Sequence, residues 1–170
     1  GHVTGGLAHV NVVASMIFAS MSGSSVADAA GLGSVEIKAM TDAGYDKDFS
    51  CAVTLASCTI SPIIPPSIIM VIYGITASVS IEQLFIAGFI PGIMMGLLLM
   101  ATNVVLAKRC AYPTEPRASM AEIGRTFLGA LLPLLTPVII IGGILGGVFT
   151  ATEAAAMAVA YTVFLDVFIY

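Results

Sequence analysis

The chain has 170 residues, 58% of them hydrophobic and 9% charged, with a formal net charge of -4 and a mean hydropathy of +1.05. A soluble domain is excluded by that balance, and the charge is too small and too scattered to imply a nucleic-acid partner. Several apolar windows reach the roughly 20 residues needed to cross a hydrocarbon core of about 30 Å, which makes this an all-α integral membrane protein.

The first apolar stretch, 7–21, covers only about 22 Å as a helix and cannot span alone. It is interrupted by "SGSS" and followed by a charged segment holding Glu36, Lys38, Asp42, Asp46, Lys47 and Asp48. Residues 7–38 therefore read as a re-entrant hairpin with the tip "SGSSVADAAG". The alternative, one kinked helix over 6–40, is disfavoured by Gly23 amid serines and by Gly31 and Gly33. Ser22, Gly23, Ser24, Ser25 and Asp28 offer hydroxyls, carbonyls and a carboxylate, the oxygen set that a hard cation such as sodium accepts. An acid at membrane depth is a functional candidate by default, and Asp28 also suits capping of the following helix. His9 reads as a packing residue; Asn11 either contacts a polar substrate or bridges helices. Residues 1–48 form the first segment.

The second stretch, 49–80, is long enough to span but carries "SCTISPIIPPS". Pro62, Pro65 and Pro66 remove three backbone donors and push the residues before them out of helical conformation, so the helix breaks between about Thr59 and Ser67. The break frees carbonyls and leaves a new helix start near Pro66 or Ser67. A helix C-terminus favours a cation there and an N-terminus an anion. Thr59, Ser61 and Ser67 add hydroxyls.

The third segment, 81–107, holds an uncharged helix, 84–107, with Gly88, Gly92 and Gly96 at the spacing that lets helices approach closely in lipid. The linker 108–126 contains Lys108, Arg109, Arg117 and Arg125 with Pro113 and Pro116, and is cytoplasmic by the positive-inside rule. The final segment, 127–170, reads as a helical hairpin of stretches 127–148 and 151–170. Its turn is "FTATEAA", in which Thr150 and Glu153 fit a capping box; Asp166 has no assigned role.

Cys51 and Cys58 are seven apart on one helix, about 10 Å, beyond disulfide reach, so the cysteines read as small packing residues. "SMSGSS" loosely resembles the nucleophile element of intramembrane serine proteases. The preceding glycine is missing, and only His2 or His9 could serve as base. The chain opens on Gly1 and stops inside an apolar run at Tyr170, and so reads as an internal segment of a longer protein.

"GGLAHVNVVASMIFASMSGSSVADAAGLGSVEIKAM", "GYDKDFSCAVTLASCTISPIIPPSIIMVIYG" and "GGVFTATEAAAMAVAY" together resemble the large membrane (permease) subunit of TRAP transporters, the tripartite ATP-independent periplasmic transporters, over nearly the whole chain. The resemblance implies an elevator-type, sodium-driven importer of an organic acid and not an enzyme, in the bacterial inner membrane. Its partners would be a small membrane subunit, membrane lipid and a soluble periplasmic binding protein, with sodium as coupling ion and no other cofactor. It also implies an inverted-repeat architecture, of which this chain would hold the first hairpin and broken helix and the start of the second repeat. Sodium would be held by Ser22, Gly23, Ser24, Ser25, Thr59, Ser61, Pro62 and Pro65, and the substrate cavity walled by Asn11, Asp28, Pro66 and Ser67. Two departures stand out: Ala151 where the family turn has proline, and Ser61 where glycine is expected. An ion channel or passive pore subunit, which also uses exposed carbonyls, is the alternative from another class.

Overall fold

The computed structural model describes residues 5–110, 112 and 120–169. His2 and the linker residues Pro113, Pro116 and Arg117 lie outside the described residues. Those described form eight helices and no strand. Three helical windows, Ile81–Cys110, Gly124–Leu145 and Ala151–Phe168, are long and apolar enough to cross a membrane. The chain divides into two compact units, Gly1–Arg117 and Ala118–Tyr170.

The first unit comprises α1 (Gly6–Ser22), α2 (Ser25–Gly31), α3 (Gly33–Asp42), α4 (Lys47–Cys58), α5 (Ile68–Ala77) and α6 (Ile81–Cys110). Local chemistry sets most of these boundaries. Asp46 caps α4 by accepting the N–H groups of Asp48 and Phe49 at 2.9 and 3.1 Å. Such a side-chain acceptor satisfies donors that the first turn leaves orphaned. α1 packs against α3, α4 and α6, and the core between them is built from Ala8, Val12, Ala19, Met40, Tyr45, Val53, Ile60 and Ile64. Below it, Tyr112 stacks on Tyr45 and Phe49 with ring centroids 4.7 and 4.8 Å apart.

The glycine stripe of α6 is a packing surface. A Cβ on Gly88 would meet the Ile63 carbonyl and the end of Met70, one on Gly92 the side chain of Ile64, and one on Gly96 the thioether of Met16. Small residues here let α6 lie directly on the interrupted α4–α5 segment, as small-residue stripes do in lipid. Away from that stripe the helix is bare: Ile90 is 70% exposed and Leu98 64%, a surface suited to acyl chains rather than water. Gly92→Leu is therefore expected to lower the melting midpoint of the purified protein by several degrees, since overpacking costs about 1–3 kcal/mol. Ile90→Leu, on the bare face, should leave it unchanged.

The second unit is a pair of helices, α7 (Met120–Leu145) and α8 (Ala151–Phe168), joined through Gly146 and Gly147. Gly147 has φ 67°, the left-handed region where glycine costs least. The predicted capping box forms: Thr150 accepts the Glu153 N–H at 3.3 Å, and Glu153 accepts the Thr150 N–H at 2.9 Å. The Tyr161 hydroxyl donates to the Leu132 carbonyl at 2.9 Å and ties the two helices together.

Helix boundaries extend past the predicted apolar windows. α4 begins at Lys47 rather than 49, α6 runs on to Cys110, and α7 begins at Met120, well inside the predicted linker 108–126. Hydropathy marks the part of a helix suited to lipid, whereas the hydrogen-bond ladder continues through charged turns until a cap or breaker ends it.

Candidate functional site

α1 ends where Gly23 turns left-handed, with φ 59°, and donates its N–H to the Ala19 carbonyl at 3.0 Å. Ser24 is extended and starts α2, its hydroxyl accepting the Ala27 N–H at 3.4 Å, while the Ser22 hydroxyl accepts the Ser24 N–H at 3.4 Å. The hydroxyls of the predicted tip thus first hold its own turn. Gly23 also abuts the break: a Cβ there would run into the Pro66 carbonyl and stand 3.0 Å from Ser67 Cα and 3.1 Å from the Ile68 nitrogen. Only a residue without a side chain allows that approach.

The break lies where the prolines place it. At the end of α4 the N–H groups of Thr59, Ile60 and Ser61 reach back three residues, at 3.3, 3.0 and 3.2 Å, the tightening of a helix leaving α geometry. Pro62, Pro65 and Pro66 then supply no donor. α5 restarts after extended Ser67, whose hydroxyl accepts the Met70 N–H at 3.3 Å. Between tip and break, Ser61 Oγ donates to Asp28 Oδ2 at 2.6 Å, and both residues are 0% exposed. The other oxygen, Oδ1, has no hydrogen-bond partner among the described residues. A hydrogen bond to a buried carboxylate is among the stronger ones, worth about 1.5–3 kcal/mol.

Four helix ends therefore converge: the C-termini of α1 and α4, whose last carbonyls carry partial negative charge, and the N-termini of α2 and α5, whose N–H groups carry partial positive charge. Of the predicted site residues, the structure brings together Gly23, Pro66 and Ser67 by contact, and Asp28 and Ser61 by hydrogen bond. Ser22, Ser24 and Ser25 are half-buried beside them, Pro62 is half-buried and Pro65 buried. Thr59 points elsewhere: it is exposed, and its hydroxyl donates to the Ala56 carbonyl at 2.6 Å, so only its backbone faces the break.

Asn11 is buried and hydrogen-bonded across helices. Its Nδ2 donates to Thr54 Oγ1 at 2.7 Å and its Oδ1 accepts from Ser57 Oγ at 2.8 Å, with Ser15 Oγ 3.1 Å from Ser57. This buried polar seam joins α1 to α4 under the break. The sequence reading left Asn11 open between two roles and passed over Ser15 and Thr54. The signal was available, since Asn11 and Ser15 are spaced i, i+4 and Thr54, Ser57 and Ser61 i, i+3, i+7, one face of each helix. Asn103 of α6, also passed over, donates to the Ala8 carbonyl at 3.3 Å. Glu36 belongs to the charged segment that follows the tip, yet it is only 8% exposed.

An all-helical integral membrane protein, with a helix-turn-helix tip seated on an interrupted helix, is the class these features define. Comparison with known proteins is specific: residues 1–170 match the family described as "Tripartite ATP-independent periplasmic transporter, DctM component". The chain is 52% identical over its whole length to the sialic acid TRAP transporter permease protein SiaT of Haemophilus influenzae, covering 28% of that protein. It is 51% identical to the large permease protein SiaM of Vibrio cholerae, covering 40% of it. It is 44% identical to the C4-dicarboxylate large permease protein DctM of Pseudomonas aeruginosa, again covering 40%. The chain belongs to the DctM component family, and spans well under half the length of these relatives.

Proposed function

We propose that this chain forms part of a sodium-coupled importer of an organic acid, delivered by a periplasmic binding protein and moved by an elevator mechanism. The observation that carries the reading is the seating of Gly23 on Pro66 and Ser67 beside the Asp28–Ser61 hydrogen bond. Interrupted helices facing one another at membrane depth are how secondary transporters build ion and substrate sites. In this reading residues 7–38 are a re-entrant hairpin, the linker 108–126 is cytoplasmic, and α7 and α8 begin the second of two inverted repeats in the inner membrane.

The donor set suits sodium: buried oxygens, with Asp28 Oδ1 lacking a hydrogen-bond partner among the described residues and the C-terminal carbonyls of α1 and α4 close by. Ser22, Gly23, Ser24, Ser25, Thr59, Ser61, Pro62 and Pro65 would hold the ion, Thr59 through its carbonyl. Bound sodium would neutralise the charge gathered there. Asp28, Pro66 and Ser67 would border the substrate, whose carboxylate suits the N-terminus of α5. Asn11 supports that wall from behind through the seam to Thr54 and Ser57. Relatives named for sialic acid and C4-dicarboxylates support a carboxylate cargo. A small membrane subunit completes the assembly.

Reconstitution of the full-length protein with its small subunit and binding protein tests the reading. Uptake of a labelled organic acid is expected only with both a sodium gradient and the binding protein. Conductance in the absence of either would overturn it in favour of a pore.

A further inference from the structure

Glu36 carries an observation that the tip and break do not explain. It sits on α3, one wall of a cavity of about 200 Å³ that it shares with Asn11, Ala14, Leu32, Val35 and Met40. The residue is more than nine-tenths buried, and neither Oε1 nor Oε2 has a hydrogen-bond partner among the described residues. An ionised carboxylate so placed forfeits its hydration without replacement, a cost far above that of the neutral acid. The Asp28 charge adds to it.

We propose that Glu36 is a proton-binding site, distinct from the tip-and-break site, which takes and releases one proton through the cavity between α1 and α3. The ligand is a proton rather than a metal cation, because a metal ion requires several converging ligands and no group of three or more His, Cys, Asp or Glu side chains that could hold one occurs among the described residues. The groups around it are few. α2 contributes Asp28 and α4 contributes Cys58; Lys47 and Asp48, at the start of α4, are exposed. α1 turns Leu7, Val10, Asn11 and Ala14 to the cavity, none titratable, while His9 lines a separate depression with Val13 and Ile17. Lys38 and Asp42, on α3 itself, are exposed. No cation among these stands ready to pair with a charged Glu36. Releasing the proton places a second negative charge near Asp28. If a cation binds at the tip as proposed above, the two occupancies are therefore linked reciprocally.

The test needs no transport. Infrared spectra of the full-length protein in lipid nanodiscs, wild type against Glu36→Gln, should contain a protonated-carboxyl C=O band that the variant lacks. The wild-type band should fade as pH rises, because the carboxyl loses its proton. The amide keeps the size and neutrality of the protonated acid, so the variant should fold. Identical wild-type and variant spectra, or a band that does not change from about pH 5 to about pH 9, would overturn the proposal. Either result leaves the transport reading untouched, since that is judged by uptake.

Discussion

Gly23→Ala is expected to reduce uptake at least tenfold in the reconstituted system while leaving the protein inserted and folded. Two costs combine. The residue holds φ 59°, where a Cβ costs about 1–2 kcal/mol. The added carbon also strikes the Pro66 carbonyl, a backbone atom that cannot swing aside as a flexible side chain would. The tip must therefore lift off the break or the break must shift, and either movement separates the four helix ends that the contact holds together. Because α1 keeps its core contacts through Ala8, Val12 and Ala19, the damage should be local. Gly142→Ala is the control: its Cβ would meet nothing within 4 Å, and a helical Gly→Ala change stabilises by roughly 0.5–1 kcal/mol. Equal uptake by both variants would remove the tip-and-break contact from the mechanism.

The parts of this arrangement that were legible in sequence are those fixed by backbone chemistry. Pro62, Pro65 and Pro66 cannot continue a ladder, so the gap between Cys58 and Ile68 was readable from residue type alone. Thr150 and Glu153 announce their box by spacing, and Gly88, Gly92 and Gly96 announce a close helix contact. What was not legible depends on which way a side chain turns. Thr59 and Ser61 are two apart in a hydroxyl-rich run and looked equivalent. A helix advances about 200° over two residues, so one donates to Asp28 and the other to its own helix at Ala56. Asn11 and Glu36 required knowledge of partners 43 positions away in one case and of a lack of partners in the other. For Asn11 the one-face spacing of polar residues hinted at a seam without naming its partners; for Glu36 nothing in local pattern did.

Ser61 and Asp28 give the second large expectation, and a pair of substitutions separates ion binding from mere packing. Ser61→Ala removes the donor at 2.6 Å from Asp28 Oδ2, leaving both oxygens of a fully buried carboxyl without a side-chain hydroxyl. Losing a charge-assisted bond worth about 1.5–3 kcal/mol should shift the sodium concentration for half-maximal uptake by roughly ten- to hundredfold. Ser20→Ala should not shift it, because the Ser20 hydroxyl donates at 2.6 Å to Ile17, within its own helix. Asp28→Asn distinguishes the roles of the carboxyl. The amide oxygen can still accept from Ser61, so if Asp28 served only to pin α2 to α4 the variant would transport with wild-type sodium dependence. If its charge compensates a bound cation, the hydrogen bond survives but the ion is lost, and uptake should fall with no rescue by added sodium. In the double variant the two losses should be strongly non-additive, since both act on one ion site. Additive effects of Ser61→Ala and Asp28→Asn would mean that the bond between them is incidental to the ion site.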